Sequence, residues 1–207
     1  MYIPKPHRMD DSNVDAFLEE VAAAEVVTAG QEGYPEATLM PFVRDGDRLL
    51  LHMARANPHW RSIAPGMPAL AIVLGAQAYV SPSWYASKAD HGRVVPTWDY
   101  SAVHIYGRAT VHDDEGWARR VVGLLTSKHE RSRPHPWSVD DAPAEYVERQ
   151  LKAIVGVELR VERLEAKAKL SLDRTSDDFR GVVEGLEREG GPRGTEVARS
   201  MRAVRSP

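Results

Sequence analysis

Apolar residues in this chain recur first at helical spacing, then in short runs typical of β-strands, and later at helical spacing again. A first helix is predicted with its N-cap in Asp11-Ser12-Asn13 and apolar positions at Val14, Phe17, Leu18, Val21 and Ala22. Short strands are predicted over residues 26–28, 37–43, 49–53, 69–74 and 78–80. The turn signals that separate these strands are Gly30, Gly33, Asp45-Gly46, Gly66 and Gly75.

The strongest hairpin signal is Asp45-Gly46-Asp47, which separates two apolar runs. Further strands are predicted around residues 103–111 and 155–161, the second with strict alternation of apolar positions. Helices are predicted over residues 115–130, 142–154 and 177–189. Because many short strands come first and the helices come late, we predict a mainly β fold with peripheral helices. This order favours a small barrel over a parallel α/β sheet.

The length of 207 residues favours one domain, which we place at residues 1–190, including the last predicted helix. Gly190-Gly191-Pro192 is predicted to end that helix. Residues 191–207 hold four arginines and few apolar side chains, which predicts a flexible, solvated tail. A basic arm that contacts nucleic acid or a partner is the alternative. The arginines are Arg193, Arg199, Arg202 and Arg205.

Composition and charge narrow the function classes. The formal net charge is −3, so the chain lacks the excess of positive charge that favours non-specific DNA binding. The absence of cysteine excludes disulfides and thiolate metal or iron–sulfur sites. No apolar run approaches the ~20 residues that a membrane span needs, and the N-terminus has no apolar signal region. We therefore expect a cytoplasmic protein without a membrane association.

The segment from Ala78 to Gly107 combines tryptophans, tyrosines, hydroxyls, a lysine and histidines. Such a mixture suits a flat aromatic ligand with polar edges or a phosphate, because stacking, hydrogen bonds and positive charge must converge on it. We interpret the segment as the wall of a cofactor site. The tryptophans Trp84 and Trp98 have an alternative role as core anchors of the barrel, with Lys88 solvated.

Two other segments carry basic and polar side chains before a predicted helix. In His52–Ile63, Arg55, Asn57 and His59 precede or open a short helix, where free N–H groups favour a phosphate. A surface turn with scattered charges is the alternative. In Lys169–Asp178, basic and hydroxyl side chains come just before a helix, for which Ser176 is a suitable N-cap. A simple helix-entry loop is the alternative for this segment.

These motifs together resemble the PaiB-like family, the FMN-binding negative transcriptional regulators. The resemblance lies in MYIPKPH, HMARANPHW, AYVSPSWY, HGRVVPTWDYSAVHIYG and KLSLDRTSDDFRGVVEGL, which occur in the family's order. It implies an FMN-binding split β-barrel related to pyridoxamine-phosphate-oxidase-like proteins. It also implies a homodimer with FMN at the subunit interface.

The resemblance assigns cofactor-binding roles to twelve residues. Those nearest the flavin phosphate would be Arg55, Asn57, His59 and Trp60. Those that line the ring or the dimer seam would be Ser81, Trp84, Lys88, His91, Thr97 and Trp98, and those that close the site would be Lys169 and Arg174. It also implies that Arg55→Ala weakens FMN binding with little change in thermal stability.

Two segments depart from the family pattern. An expected Gln-Asn pair is Leu172 and Asp173 here, and an expected asparagine is Asp99. A carboxylate beside a phosphate is unfavourable, since like charges at ~4 Å cost about 4 kcal/mol at a surface-like dielectric. Either the ligand is held differently, or Asp173 pairs with Arg174 and faces away.

The function that the resemblance implies is an FMN-binding transcriptional regulator, with redox sensing as its signal. No helix-turn-helix is evident, so direct and indirect association with DNA both stay open. A flavin-dependent oxidoreductase is the alternative, with the flavin supplying the hydride chemistry. A haem protein is a further alternative, because His52, His59, His91 and His104 lie near the predicted site. No compact His/Asp/Glu set has the spacing of metal ligands, and no catalytic residue is assigned.

Overall fold

The computed structural model describes residues 1–30 and 33–205, and its contacts divide the chain into two compact units. The first unit contains residues 1–17, 74–103 and those from 165 onward. The second unit contains residues 18–73 and 104–164. The single domain over residues 1–190 stays a prediction.

Six strands and six α-helices form the described part of the chain. The strands are β1 (Ala23–Ala29), β2 (Pro35–Asp45), β3 (Arg48–Ala54), β4 (Met67–Val80), β5 (Thr97–His112) and β6 (Ile154–Lys169). The helices are α1 (Asp11–Glu20), α2 (Ser87–His91), α3 (Glu115–Glu130), α4 (Ala144–Lys152), α5 (Ser176–Glu189) and α6 (Gly191–Arg205). Short 3₁₀ helices cover Lys5–His7, Pro58–Ser62, Pro82–Trp84 and Val139–Asp141. None of the described helices has the length and apolar character needed to cross a membrane.

The strands are hydrogen-bonded in the order β1-β2-β3-β6-β5-β4, and the order closes because β4 also pairs with β1. The tight β2–β3 hairpin pairs Asp45 with Arg48, and Gly46 between them has a φ of 61°. Glycine adopts that left-handed conformation without a steric penalty, which explains the predicted turn. The predicted mainly β fold with helices is confirmed.

The core of the second unit is formed by buried side chains of its strands. Alternate residues on β1 are buried, and Val26, Met40, Phe42, Leu51 and Val157 are almost completely inaccessible. Helix α3 covers part of the barrel's outer surface through Val121 and Leu125, which pack with Leu50. Asp114 caps this helix by accepting a hydrogen bond from the Trp117 amide at 2.7 Å.

The first unit has its own core, built from the ends of β4 and β6 and from the last two helices. Buried apolar residues from these elements and from the loops that follow β4 and β6 pack together, among them Val80, Tyr85, Leu170, Leu186 and Met201. Thr175 caps α5 by accepting a hydrogen bond from the Asp178 amide at 3.2 Å. The sequence favoured Ser176 as this cap, one residue further along the chain.

The C-terminal segment differs from its predicted state. Residues 191–205 form helix α6 instead of a flexible tail, and the remaining tail positions 206 and 207 lie outside the described residues. Val197, Ala198 and Met201 are spaced three and four residues apart and are fully buried against the core of the first unit. This apolar stripe is short and lies among arginines, so its composition alone resembled that of a solvated tail.

Two smaller predictions were also wrong. Gly75 was predicted to be a turn, yet β4 runs through it without a break, and the aromatic ring of Phe17 occupies the space that a side chain would need. A Cβ at this position would lie 2.6 Å from Cε2 of Phe17, so the glycine serves close packing within the first unit. The N-terminal cap of α1 is Asp10, whose carboxylate accepts from the Asn13 amide at 2.8 Å.

Candidate functional site

The predicted cofactor-binding residues occur in both units. The second unit contains Arg55, Asn57, His59 and Trp60, and the first unit contains Ser81, Trp84, Lys88, His91, Thr97, Trp98, Lys169 and Arg174. Within each unit, the structure joins several of these residues in hydrogen-bonded groups.

His59 is the buried centre of the group in the second unit. Its Nε2 lies 2.8 Å from Oγ1 of Thr28, and its Nδ1 lies 2.8 Å from Oγ1 of Thr38. Asn57 caps the 3₁₀ helix by accepting from the His59 amide at 3.0 Å, and donates to Thr38 at 3.2 Å. Burial lowers the pKa of His59, with Glu36 opposing the shift. These contacts hold the 3₁₀ helix Pro58–Ser62 against β1 and β2, and both ring nitrogens of His59 are hydrogen-bonded.

Arg55 is held by contacts within the second unit. Its guanidinium donates to both carboxylate oxygens of Asp113, at 3.1 and 2.5 Å, and to the carbonyl oxygens of Lys152 and Ile154 at 2.7 and 3.2 Å. The hydrogen bonds from Arg55 lower the pKa of Asp113. The backbone carbonyl of Arg55 also accepts from the Trp60 indole at 3.0 Å. A phosphate would compete with Asp113 for the guanidinium of Arg55.

Trp84 packs in the first unit against helix α5. A Cβ at Gly185 would lie 2.3 Å from the indole ring, and a Cβ at Gly181 would lie 2.1 Å from the Trp84 carbonyl oxygen. The indole Nε1 donates to Glu189 at 3.1 Å. These contacts agree with the core-anchor alternative for Trp84, and they occupy the part of the ring that faces α5.

The residues around α2 form local contacts. Ser81 caps the 3₁₀ helix Pro82–Trp84 by accepting a hydrogen bond from the Ser83 amide at 3.2 Å. Lys88 donates to the Ser83 hydroxyl at 3.0 Å. His91 accepts from the Arg93 amide at 3.0 Å. Arg174 lies over the ring of Tyr85, 5.2 Å from its centre.

The most connected group in the first unit surrounds the ammonium of Lys169. It donates to Oγ1 of Thr97 at 2.6 Å, to the carbonyl oxygen of Trp98 at 2.7 Å, and to Oδ1 of Asp99 at 3.3 Å. The other carboxylate oxygen of Asp99 accepts from the Ser171 hydroxyl at 2.7 Å. Asp99 has no accessible surface, and this burial raises its pKa against the opposing effects of Ser171 and Lys169.

Trp98, whose backbone carbonyl belongs to this group, has an exposed side chain. Its side chain is 48% exposed, although its Nε1 donates to Oε1 of Gln77 at 3.1 Å. The hydrogen bond to β4 orients the indole without burying it. An oriented, exposed indole is suited to stack on a planar ligand.

Sequence reasoning missed several of these residues. Asp99 was noted only as a departure from the family pattern, and Ser171, Thr38 and Gln77 were not assigned roles. Their hydrogen bonds join positions far apart in the chain, such as Ser171 and Asp99. Alternation along β5 does place Asp99 inward, and a carboxylate at an inward position is a signal of a buried polar partner.

The second unit also has an open groove that the sequence did not predict. Its volume is about 520 Å³, and its lining is mostly apolar. The larger side chains at its surface are Val27, Tyr34, Pro35, Pro68, Leu70 and Tyr106. Across the paired strands, Leu39 lies opposite Glu25 and is 66% exposed. Leu39 is on the same face of β2 as Ala37, which pairs with Val27 of the groove. The groove and Leu39 together form the apolar outer face of the second unit.

The donors of the first unit fit a flavin. The Thr97 hydroxyl supplies a hydrogen bond that a ring with polar edges needs, and the Lys169 ammonium orients that hydroxyl. The residue that would hold the flavin by this hydrogen bond is Thr97, while the exposed indole of Trp98, on the opposite face of β5, offers a separate aromatic contact. Within residues 1–30 and 33–205, no group of three or more His, Asp or Glu side chains is arranged to hold a metal ion.

Comparison with known proteins gives a family match over most of the chain. Residues 1–163 match the family model described as "Putative FMN-binding domain". The protein named "Protease synthase and sporulation protein PAI 2" from Bacillus subtilis is 34% identical over 206 residues, which cover 97% of this chain and 96% of that protein.

Two solved structures share the fold. The FAD and heme binding protein from Mycobacterium smegmatis is 19% identical, with a TM-score of 0.58, over 80% of this chain and 74% of that chain. A flavocytochrome from Azotobacter vinelandii is 20% identical, with a TM-score of 0.55, over 84% of this chain and 73% of that chain. The predicted split-barrel fold is confirmed.

Proposed function

The chain belongs to the PaiB-like family of FMN-binding-domain proteins, and from this membership we propose that it binds FMN and acts as a regulator. The observation that carries the proposal is the identity of 34% to the Bacillus subtilis protein along nearly the whole of both chains. The Thr97 hydroxyl beside Lys169 and the exposed indole of Trp98 support the choice of a flavin. When bound, FMN would supply redox chemistry, and its redox state is the signal that we propose. Cytoplasmic location stays a prediction.

The cofactor is tested by the absorption spectrum of the purified protein, before and after addition of FMN and passage through a desalting column. Retained flavin absorption in a one-to-one ratio with the chain supports the proposal. A colourless protein that retains no flavin, and shows no binding at micromolar FMN, contradicts it. Rapid oxidation of NADH or NADPH by the FMN-loaded protein would favour an oxidoreductase over a regulator.

We propose that regulation is indirect and does not use α6 as a DNA-binding arm. Two arginines of this helix are engaged within the first unit, because Arg202 donates to both oxygens of Glu187 at 2.9 Å and Arg205 lies over the ring of Phe179. The net charge of −3 adds no general attraction to DNA. A mobility-shift assay with genomic DNA fragments, at low and moderate salt, should show no specific complex. A complex that resists competitor DNA would overturn the indirect route.

We also propose that two copies pair through the apolar outer face of the second unit. On this face Leu39 and Tyr34 are exposed by 66% and 78%, and the groove beside them is mostly apolar. Contiguous apolar surface of this kind marks interaction sites. Leu39→Asp should shift the mass in solution from dimer to monomer. The control is Leu124→Asp on α3, a site exposed by 37%, which should leave the mass unchanged.

A further inference from the structure

The Lys169 ammonium has no donor left for a ligand. An ammonium carries three N–H groups, and these are directed to the Thr97 hydroxyl, the Trp98 carbonyl and the Asp99 carboxylate. A phosphate could bind this ammonium only by displacing one of the three acceptors. One of them is Asp99 in the core, where displacement would cost a buried carboxylate one of its hydrogen bonds.

The charge of Lys169 is also balanced. Both oxygens of Asp99 accept hydrogen bonds, one from Lys169 and one from Ser171, which is the arrangement of an ionised carboxylate. Asp99 is completely inaccessible, so water screens the pair weakly. Ser171 has a φ of 55°, in the left-handed region, and the chain there turns its hydroxyl to Asp99. An anion brought to Lys169 would meet the negative charge of Asp99 at close range.

The Thr97 hydroxyl is the group of this network that remains able to donate. Its oxygen accepts the 2.6 Å hydrogen bond from Lys169, which leaves its own hydrogen for another acceptor. Thr97 is partly exposed at the start of β5, so a ligand can reach its hydroxyl from solvent. A hydroxyl that accepts a charge-assisted hydrogen bond becomes a stronger donor, because linked hydrogen bonds polarise one another.

We propose that Thr97, Lys169 and Asp99 recognise an uncharged part of the flavin, a ring carbonyl or a ribityl hydroxyl, and not its phosphate. The Thr97 hydroxyl donates to that group. Asp99 is a positioning residue that keeps the Lys169 ammonium behind Thr97. This inference rests on the FMN binding proposed above.

The test compares FMN with riboflavin, which differs from it only by lacking the phosphate. Dissociation constants for both are measured by flavin fluorescence with the wild type, Thr97→Val, Thr97→Ser and Lys169→Met. We expect Thr97→Val and Lys169→Met to lower the affinity for FMN and for riboflavin by a similar factor, about 5- to 10-fold. Thr97→Ser should restore wild-type affinity. A shift of the bound flavin's absorption in Thr97→Val indicates a ring carbonyl, and an unshifted spectrum indicates a ribityl hydroxyl.

The role of Asp99 is tested with riboflavin, which carries no charge over the pH range used. Lys169, Ser171 and His7 face Asp99, and Tyr85 is close enough to sense its charge. Wild-type affinity for riboflavin should fall at acid pH, as Asp99 is protonated and releases Lys169. Asp99→Asn should bind riboflavin weakly at every pH and lose this pH dependence. An Asp99→Asn protein with the wild-type pH profile would overturn the positioning role.

Failure of the inference and failure of the proposed function give different results. If Lys169→Met lowers the affinity for FMN at least tenfold and leaves the affinity for riboflavin unchanged, the phosphate lies at Lys169 and the inference is overturned. Unchanged binding of both ligands in Thr97→Val would also overturn it. A wild-type protein that binds neither ligand would overturn both proposals. Thermal melts of every variant separate loss of binding from loss of folding.

Discussion

The indole of Trp84 lies against the backbone of Gly185, so close that a methyl group at residue 185 would come within 2.3 Å of two ring carbons. Gly181, one turn earlier in α5, meets the Trp84 backbone in the same way. Glycine is otherwise unfavourable inside a helix, by roughly 0.5–1 kcal/mol relative to alanine. The two glycines of α5 therefore have a packing role, because they leave the space that Trp84 occupies against the helix.

Gly185→Ala should destabilise the protein because the new methyl group displaces the Trp84 ring. We expect a loss of about 1–3 kcal/mol in the free energy of unfolding, as for other overpacked sites. Urea denaturation followed by circular dichroism measures this change.

The matched control is Gly123→Ala in α3, where no neighbouring atom lies within 4 Å of the added Cβ. Helix propensity alone predicts a gain of about 0.5–1 kcal/mol at that site. If both substitutions raise the free energy of unfolding, the packing of α5 does not depend on the close contact between Gly185 and Trp84.

Arg55 is the residue for which the sequence and the structure give different expectations. The family resemblance implies that Arg55→Ala weakens FMN binding without affecting stability. The contacts to Asp113 and to two backbone carbonyls predict that it also lowers the Tm. We expect Asp113→Asn to lower the Tm less, because the carbonyl contacts remain.

FMN binding by the same two variants separates the roles of Arg55. If Arg55 binds the phosphate, Arg55→Ala should lower the affinity for FMN by about tenfold and the affinity for riboflavin much less. Asp113→Asn should then strengthen FMN binding, because the guanidinium is released from its carboxylate. Equal losses for FMN and riboflavin in Arg55→Ala would remove Arg55 from the phosphate site.

His59 should make stability depend on pH. Burial lowers its pKa below the ordinary value of 6.5, so the folded protein binds the proton less readily than the unfolded chain. The stability that comes from the neutral ring is present above pH 6.5 and is lost as the pH falls through the lowered pKa. We expect His59→Gln to reduce this loss between pH 7 and 5, measured by urea denaturation.

At pH 8 the same variant should be less stable by about 1–3 kcal/mol, because the buried Thr28 hydroxyl loses its partner. Thr28→Val is the control, since it removes that hydroxyl and leaves the imidazole in place. It should preserve the pH dependence. A His59→Gln protein with an unchanged slope would assign the acid sensitivity to other groups, of which His52 and His7 also have lowered pKa values.

The elements of the barrel were predictable because each has a local signal. The turn at Gly46 and the alternation on β6 depend on neighbouring residues, and helix α3 has the predicted limits Glu115–Glu130. Gly75 shows where local signals fail. Glycine in a strand and glycine in a turn look the same until the position of Phe17 is known.

The candidate site was less predictable than the fold. Polar residue types at positions 97, 98 and 169 could be selected from the sequence and from the family resemblance. Their mutual arrangement depends on Asp99 and Ser171, which lie 72 positions apart. No local pattern indicates that these two residues meet, or that Asp99 accepts one of the three hydrogen bonds that Lys169 donates within the protein.

Helices α5 and α6 lie beyond residue 163, where the family match ends, yet they supply Val182, Leu186, Val197 and Met201 to the core of the first unit. A fragment cut at the end of the match would uncover Val80 and Tyr85, which these helices help to bury. Such a fragment would be prone to aggregate and to proteolysis. Its failure to retain a cofactor would then reflect a missing part of the protein's interior, because the end of the family-model match does not coincide with the end of the first unit's core.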